Sequence, residues 1–529
     1  MAYESKYKIR SIPHLRTGLN DRYDPSEIAD TDMASCENIE VDTRSIKNAG
    51  GYVNYGGDTG PFFGGFNAKF EGGTTTMIRQ RGTVLEYDNG GGTWTECTLP
   101  TSGSPATTIS LTETVPAFAM LNDIVLFSNG TDSTMSSTDG ITWTIPTTGS
   151  PAIELPKAKV LFNNGTERIL FMGVPLYSSL VYWSNINDPL TVESTAFQFI
   201  GKNDGQEIID AVLMPSGGML LFKTNRFYSI SDITFDMTAV DPIGEAPCVR
   251  HTAVATENSA MWAGPDGRIY EFDGQKANII SDNIAPLNIT RSDVMRAVYH
   301  NYNYRLAIPN GSDAFNSYEL VVNRKILTEQ RFNPYVITKN QRYIGCYIPE
   351  DRTVSSVRRR RLYFGDGRSD GVGSPAEVPT TFAYINDIHD TGITQGLNGV
   401  AQTCSVTTKF FTEDVPFFIK RYVKYFSQVK STLAQDITVS YRFDPNGQWS
   451  DSVVTSSPAD LDFEFGDGTT GGFDEGYSFS FEATENIIRD LETTGADLRG
   501  IQFKLTWTSI VDVEVLNQAF KFLIKPNLH

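Results

Sequence analysis

Apolar and polar positions alternate along this chain in short runs. DIVLFSN (123–129), ERILFMGV (167–174), SLVYWSN (179–185), GMLLFKT (218–224), RIYEFDG (268–274) and YRLAIPN (304–310) are rich in β-branched and aromatic residues. Between such runs recur Asn89-Gly90, Asn129-Gly130, Asp139-Gly140, Asn164-Gly165, Asp266-Gly267 and Asp273-Gly274. These dipeptides favour the positive φ angles of tight hairpin turns, so the pattern predicts successive antiparallel hairpins. No amphipathic stretch long enough for a crossover helix separates the runs, which argues for an all-β chain over βαβ units. ENIIRDLETTG (485–495) alone reads as a short helix, ending at a glycine.

Two segments nearly repeat each other: DNGGGTWTECT (88–98) and TDGITWTIPT (138–147), each a glycine turn followed by Thr-Trp-Thr. Local hairpins repeated over so long a stretch suit a radial array of blades, in which both faces of each small sheet are buried against neighbours. The expectation is a β-propeller body over residues 56–394, of five to seven blades. Beyond it KRYVKYFSQVKS (420–431), DITVSYRFDPNGQW (436–449), FSFEAT (479–484) and GIQFKLTWTS (500–509) are longer alternating strands. They predict a C-terminal β-sandwich platform domain over residues 395–529. Residues 1–55 read as an extended N-terminal arm. Within it ENIEVDTRSIKNAGGY (37–52) suits either a strand pairing with the platform or a neighbour, or a locally folded strand.

Composition narrows the functional classes. At 529 residues, 40% of them hydrophobic and 20% charged, the chain is long enough for two or three folded domains. The first residues lack the apolar core of a secretory signal and no run is long enough for a membrane helix, so the expectation is a soluble protein made in a cytoplasm. A formal net charge of −19 disfavours free binding to duplex DNA. Cys36, Cys97, Cys248, Cys346 and Cys404 are odd in number and widely spaced, which argues against a disulfide framework and for buried thiols. Cys248 and His251 make half of a metal site without its second half.

Catalytic motifs are largely absent: there is no GxSxG, HExxH or Walker A sequence. Gly466-Asp467-Gly468-Thr469-Thr470-Gly471 fits GxGxxG, but no helical pattern follows it and the aspartate opposes a pyrophosphate, so it reads as a loop. Asp366, Asp370, Asp444, Asp451, Asp467 and Asp474 sit in glycine-rich loops without EF-hand spacing and read as solvated turns rather than Ca²⁺ ligands. SSTDGITW (136–143) resembles the Asp-box turn of sialidase-like propellers, one residue short of the usual spacing. No metal, cofactor or catalytic residue is therefore expected, and the chain is read as non-enzymatic.

The stretch VRRRRLYFGDGRSDG (357–371) is the strongest local charge signal. In a strand Arg358 and Arg360 face one way, Arg359 and Arg361 the other, so the strand is exposed or covered by carboxylates. Between Glu350 and Asp370 six arginines stand against four carboxylates, a local sum of only +2. That balance favours Arg358, Arg359, Arg360 and Arg361 as a subunit-interface or edge-strand salt-bridge element over a solvated face or a contact with passing nucleic acid.

The order of four phrases resembles the tail nozzle, or tail hub, proteins of short-tailed bacteriophages, the tail tubular protein B family. They are the opening PHLRTGLNDRYDPSEIADTDMASCENIEVDTRSIKNAGGYVNYG (13–56), FMGVPLYSSLVYWSNINDPLTV (171–192), GGMLLFKTNRFYSIS (217–231) and GEAPCVRHTAVATENSAMWAGPDGRIYEFDG (244–274). The resemblance implies a structural virion protein without catalytic residues, forming a homo-hexameric ring in the virion tail after assembly in the host cytoplasm. It further implies binding to a portal-side adaptor and to fibres or a tip or needle protein, transient non-specific passage of double-stranded DNA, and no membrane insertion. The alternative from a different class is an adhesin or glycan-cleaving tail protein acting on host surface polysaccharide.

Overall fold

The computed structural model describes most of the chain between Lys8 and Ile524. Residues 1–7, 231–241, 328–334, 369–381, 386–400, 413–419, 457–483, 491–499 and 525–529 lie outside the description, as do shorter breaks of one to four residues. The expected boundary at 394/395, the strand 479–484 and the GxGxxG stretch thus fall mainly or wholly outside the described residues.

The fold is all-β, built from several antiparallel sheets, as the alternation predicts. Seven small sheets follow one another along the chain. We number them I to VII by their first strands: Phe62–Lys69, Ala117–Leu121, Val160–Asn163, Ile208–Leu213, Val254–Ala255, Arg296–His300 and Ile344–Val354. Six have four strands and sheet II has three. Each first strand lies against the next, and that of sheet VII against that of sheet I, so the contacts close on themselves.

A separate apolar cluster fills each junction between neighbouring sheets. Leu170, Met172 and Val181 of sheet III, for example, pack with Met219, Leu221 and Tyr228 of sheet IV. Phe62 and Met77 of sheet I pack with Cys346, Tyr363 and Phe382 of sheet VII. Sheet VII takes its outer strand, Tyr52–Asn54, from the N-terminal segment, paired antiparallel with Ala383–Ile385. All five cysteines are buried free thiols.

Among the described residues three pairs of two-residue strands stand apart, and the other remaining strands form two larger sheets. One has the order Thr484–Asp490, Lys420–Ser431, Val513–Ile524, Ile46–Asn48, Ile39–Val41, with Lys8–Ile12 also on Val513–Ile524. The other runs Ser35–Glu37, Gln402–Thr407, Gln502–Ser509, Gln435–Arg442, Val453–Ser456. Tyr425 and Phe520 of the first and Phe503, Leu505 and Trp507 of the second share one core. Trp507 donates its indole N–H to Asn48 Oδ1 at 2.9 Å, tying the N-terminal segment into that core.

Two local expectations are corrected. Residues 484–490 are not helical but an edge strand, with Ile487 opposite Ser427 and Ile488 opposite Phe426. An isolated helix this short is marginal, whereas the long neighbouring strand offers an unpaired row of backbone groups. The Asx-Gly turns also differ in kind: in pairs such as Asn129-Gly130 and Asp266-Gly267 only the glycine has positive φ, and Asn129 Oδ1 caps the N–H groups of Thr131 and Asp132 instead. Positive φ at both centres of a two-residue hairpin occurs at Asn122-Asp123 and Asn301-Tyr302, where no glycine signals it.

The junction of sheets I and VII carries a buried charge. Arg79, with no exposed surface, lies 3.8 Å from the Trp94 ring centre and 5.1 Å from that of Phe382, and its Nε donates to Glu86 at 2.8 Å. Arg81 holds the other Glu86 oxygen at 2.8 Å. Glu86→Gln keeps the shape but strips Arg79 of its counter-charge. We expect it to cost about 3 kcal/mol, read as a lowered urea midpoint, because the remaining buried cation is left uncompensated.

Candidate functional site

The hairpin formed by Ile344–Val354 and Val357–Asp366 sets Glu350 opposite Arg361, Asp351 opposite Arg360 and Arg352 opposite Arg359. The third strand of sheet VII, Phe382–Ile385, pairs with residues 362–365 of this strand, and the residues after Ile385 lie outside the described residues. Arg361 points inward: it is 8% exposed, with its guanidinium 4.3 Å from the Tyr384 ring centre. Glu350, directly across, is buried too and accepts the Tyr363 hydroxyl at 3.1 Å. Arg360 is exposed, and its carbonyl lies 3.2 Å from His300 Nε2. The side chains of Arg358 and Arg359 lie outside the described residues.

One concave place is not signalled by the sequence. A cavity of about 620 Å³ opens where the first strands of the seven sheets converge. Every sheet, or the link leading into it, contributes: Phe62 and Phe63, Val115, Lys159, Glu207, Arg250 and His251, Arg296, and Ile344. A second cavity of about 250 Å³ adjoins it, lined by Asp210 and Tyr347, and Phe63, Val115, His251 and Arg296 line both.

Its charges are organised around shared carboxylates. Glu207 accepts Lys159 Nζ at 3.2 Å through one oxygen and Arg250 at 2.7 Å through the other. Arg291 holds Asp293 through two hydrogen bonds of 2.9 Å. Arg296 is 8% exposed and donates only from Nη1, to the carbonyls of Asp293 and Met295. Burial lowers its pKa to about 10. His251 adopts a left-handed φ of 62°, and burial with nearby Arg296 and Arg250 pushes its pKa well below the ordinary histidine range. Asp210 accepts the Ala211 N–H at 3.0 Å and the Ala253 N–H at 3.3 Å, and burial raises its carboxyl to about 7. Around neutral pH the centre thus holds a neutral imidazole, a carboxyl poised between acid and base, and fixed cations, a set able to bind an anion or move a proton.

The other sequence candidates resolve into structural roles where they are described. Cys248 is buried with its Sγ on the Val249 carbonyl, and among the described residues no group of three His, Cys, Asp or Glu could hold a metal. Asp139 Oδ1 accepts the N–H groups of Ile141 and Thr142 and the Ser137 hydroxyl while Trp143 is buried below, so the Asp-box-like stretch is a turn brace. Asp366 pairs with Arg368 at 2.7 Å, and Asp444 caps Asn446. Asp451 is exposed, while Asp370, Asp467 and Asp474 lie outside the described residues.

The carboxyl of Asp210 yields a signed pH dependence. Below pH 3.8 it is protonated folded and unfolded alike; between 3.8 and about 7 only the unfolded chain ionises, so stability falls as pH rises, with the full penalty above about 7. Asp210→Asn removes that dependence. We expect the variant to gain on the wild type across this window by an amount on the order of a few kcal/mol, measured as urea midpoints at a series of pH values.

No protein-family model matches the chain, and neither does any curated protein. Among solved structures it is similar to a streptogramin B lyase, at 8% identity and a TM-score of 0.41, covering 66% of this chain and 99% of that one. It is also similar to virginiamycin B lyase from Staphylococcus aureus, at 11% identity and a TM-score of 0.39, covering 64% and 98%. The WD40 beta propeller domain of Doa1 follows at 9% identity and 0.36, covering 64% and 98%. The expectation of a non-enzymatic chain is corrected here, because two of these structures are enzymes, and it is not carried further. At such identities and TM-scores the likenesses assign no reaction, substrate or residue to this chain.

Proposed function

We propose that the chain is a ring-forming structural subunit of the tail of a short-tailed bacteriophage, a nozzle or hub that assembles as a hexamer, conducts the genome and anchors fibres or a tip protein. In this reading the seven sheets are the blades of a β-propeller and the two larger sheets are a β-sandwich platform. The observation that carries it is the path of the N-terminal segment. Its strands enter both larger sheets and then complete sheet VII, welding the two parts into one body suited to transmitting load. The order of phrases in the sequence supports the same reading, as does the charged hairpin formed by the first two strands of sheet VII, on which Arg360 is exposed.

A second reading, a glycan-binding or glycan-cleaving tail protein, is favoured by the central cavity with Asp210 and His251. Tyr177, Phe197 and Phe199 on sheet III add exposed aromatic surface of the kind that stacks on sugars. Incubating the purified chain with host surface polysaccharide and measuring released reducing ends separates the readings; catalytic release selects the second.

The first reading is tested by native mass spectrometry and particle imaging of the protein alone and in its virion. A ring of six times 58.5 kDa on the tail axis is expected, and a monomer absent from that axis overturns it. Replacing both Arg358 and Arg360 by glutamate is expected to dissociate the ring while leaving the circular dichroism of the subunit unchanged. Intact rings from that variant would remove the arginine strand from the interface.

A further inference from the structure

We propose that the central cavity is an oxyanion-binding site, seating the carboxylate or phosphate of a small polar molecule on Arg296, with Arg250 and Lys159 at its rim. The site's chemistry holds whether or not the chain is a tail subunit.

Arg296 supplies the main reason. A guanidinium carries five N–H donors, and ordinarily a buried one is matched by a carboxylate. Here only Nη1 is used, on two neutral carbonyls, and Nε is buried without a partner. Among the described residues no carboxylate pairs with it, although Arg79, Arg305, Arg324, Arg342 and Lys223 all have one. Asp293 is near enough to favour the charge of Arg296 but gives its oxygens to Arg291, so the buried guanidinium is only partly compensated, a cost that an arriving anion would recover in part.

The surroundings point the same way. Four cationic side chains line the larger cavity (Lys159, Arg250, Arg291, Arg296) against three carboxylates (Glu113, Glu207, Asp293), a sum of 4 − 3 = +1 inside a chain of net charge −19. Glu207 is shared between Lys159 and Arg250, so their combined charge is half neutralised, and Arg250 Nε is a second buried donor without a partner. The anions that do line the cavity are already engaged or lie toward its exposed side: Asp293 is clamped by Arg291 and exposed. A volume of about 620 Å³ suits a mono- or disaccharide or a phosphorylated metabolite, and Phe62, Phe63 and Phe315 provide apolar wall for its body. Duplex nucleic acid is far too wide for it.

Isothermal titration calorimetry on the full chain, in a buffer low in chloride, tests this with four probes: glucuronate, glucose 6-phosphate, inorganic phosphate and glucose. Binding of one or more anions with none by glucose is the expected result. Glucuronate or the sugar phosphate binding more tightly than phosphate identifies a saccharide as the carrier, whereas equal binding identifies the free oxyanion. Arg296→Met should weaken the anion by about tenfold or more, the worth of a charge-assisted hydrogen bond, without lowering the thermal midpoint of the empty protein. A merely structural arginine would lower that midpoint and leave affinity unchanged. Should that variant fail to fold, Arg250→Gln combined with Lys159→Gln at the rim gives the same readout on affinity. No anion binding at about 10 mM, or affinity unchanged in every folded variant, overturns the proposal.

Discussion

Three residues, Tyr52 to Asn54, decide whether the seven sheets hold together. They pair with Ala383 to Ile385, more than 300 positions away in sequence, and among the described residues they are the fourth strand of sheet VII. Tyr55, immediately after them, donates its N–H to Phe382 and its hydroxyl to Asp88 of sheet I, and its ring meets Tyr363, Trp94 and Tyr384. The last sheet is thereby locked to the first by a segment that precedes both. Such a closure makes each junction depend on all the others, because opening any one exposes two apolar faces at once. It also has a kinetic side: contacts between the two ends of a long chain form late, since loop closure must precede the reward.

Within that frame cations are repeatedly gathered in pairs on one carboxylate. Glu86 holds Arg79 and Arg81; Glu319 holds Arg305 and Arg342; Glu207 holds Lys159 and Arg250; Asp30 holds Arg10 and Lys409. Glu319 shows the balance of terms. Burial pushes its pKa up, yet Arg305 and Arg342 outweigh burial and hold the carboxyl below its usual range. Removing the carboxylate from such a triad strands two charges, so each is a point of high sensitivity rather than a large net source of stability. Against this habit Arg296, among the described residues, has no carboxylate in hydrogen-bond contact and donates to two carbonyls instead.

The legible part of the fold was the part governed by local alternation. ERILFMGV contains the strand Ile169–Val174 and RIYEFDG the strand Ile269–Phe272, because a period of two and a turn residue at each end suffice to define them. The segment 484–490 was misread because its partner, Lys420–Ser431, lies far away and overrides weak local preference. The turns at Asn122-Asp123 and Asn301-Tyr302 escaped since tyrosine and aspartate at positive φ are imposed by the hairpin register around them. For the arginine run, alternation of faces was readable, but nothing local announces that Tyr384 covers Arg361.

The cavity could not be read at all, and the reason is geometric. Its walls are single residues and short runs of up to four, drawn from segments as far apart as Phe62-Phe63, residues 248–251 and Arg296, so no window of sequence contains more than a fragment of it. The nearest thing to a signal was the stretch Cys248-Val249-Arg250-His251, which carried interest as half of a metal site. Both members line the cavity, but the thiol is also packed into the apolar cluster between sheets IV and V, whereas the imidazole lies near Arg296 and Arg250. What made the pair noticeable was chemistry in adjacent letters; what makes His251 consequential is that a left-handed φ turns the chain there and sets it beside Arg296. Sites built by convergence of many strands become visible only through burial and charge in three dimensions, as with Arg296, a buried guanidinium that donates to two neutral carbonyls.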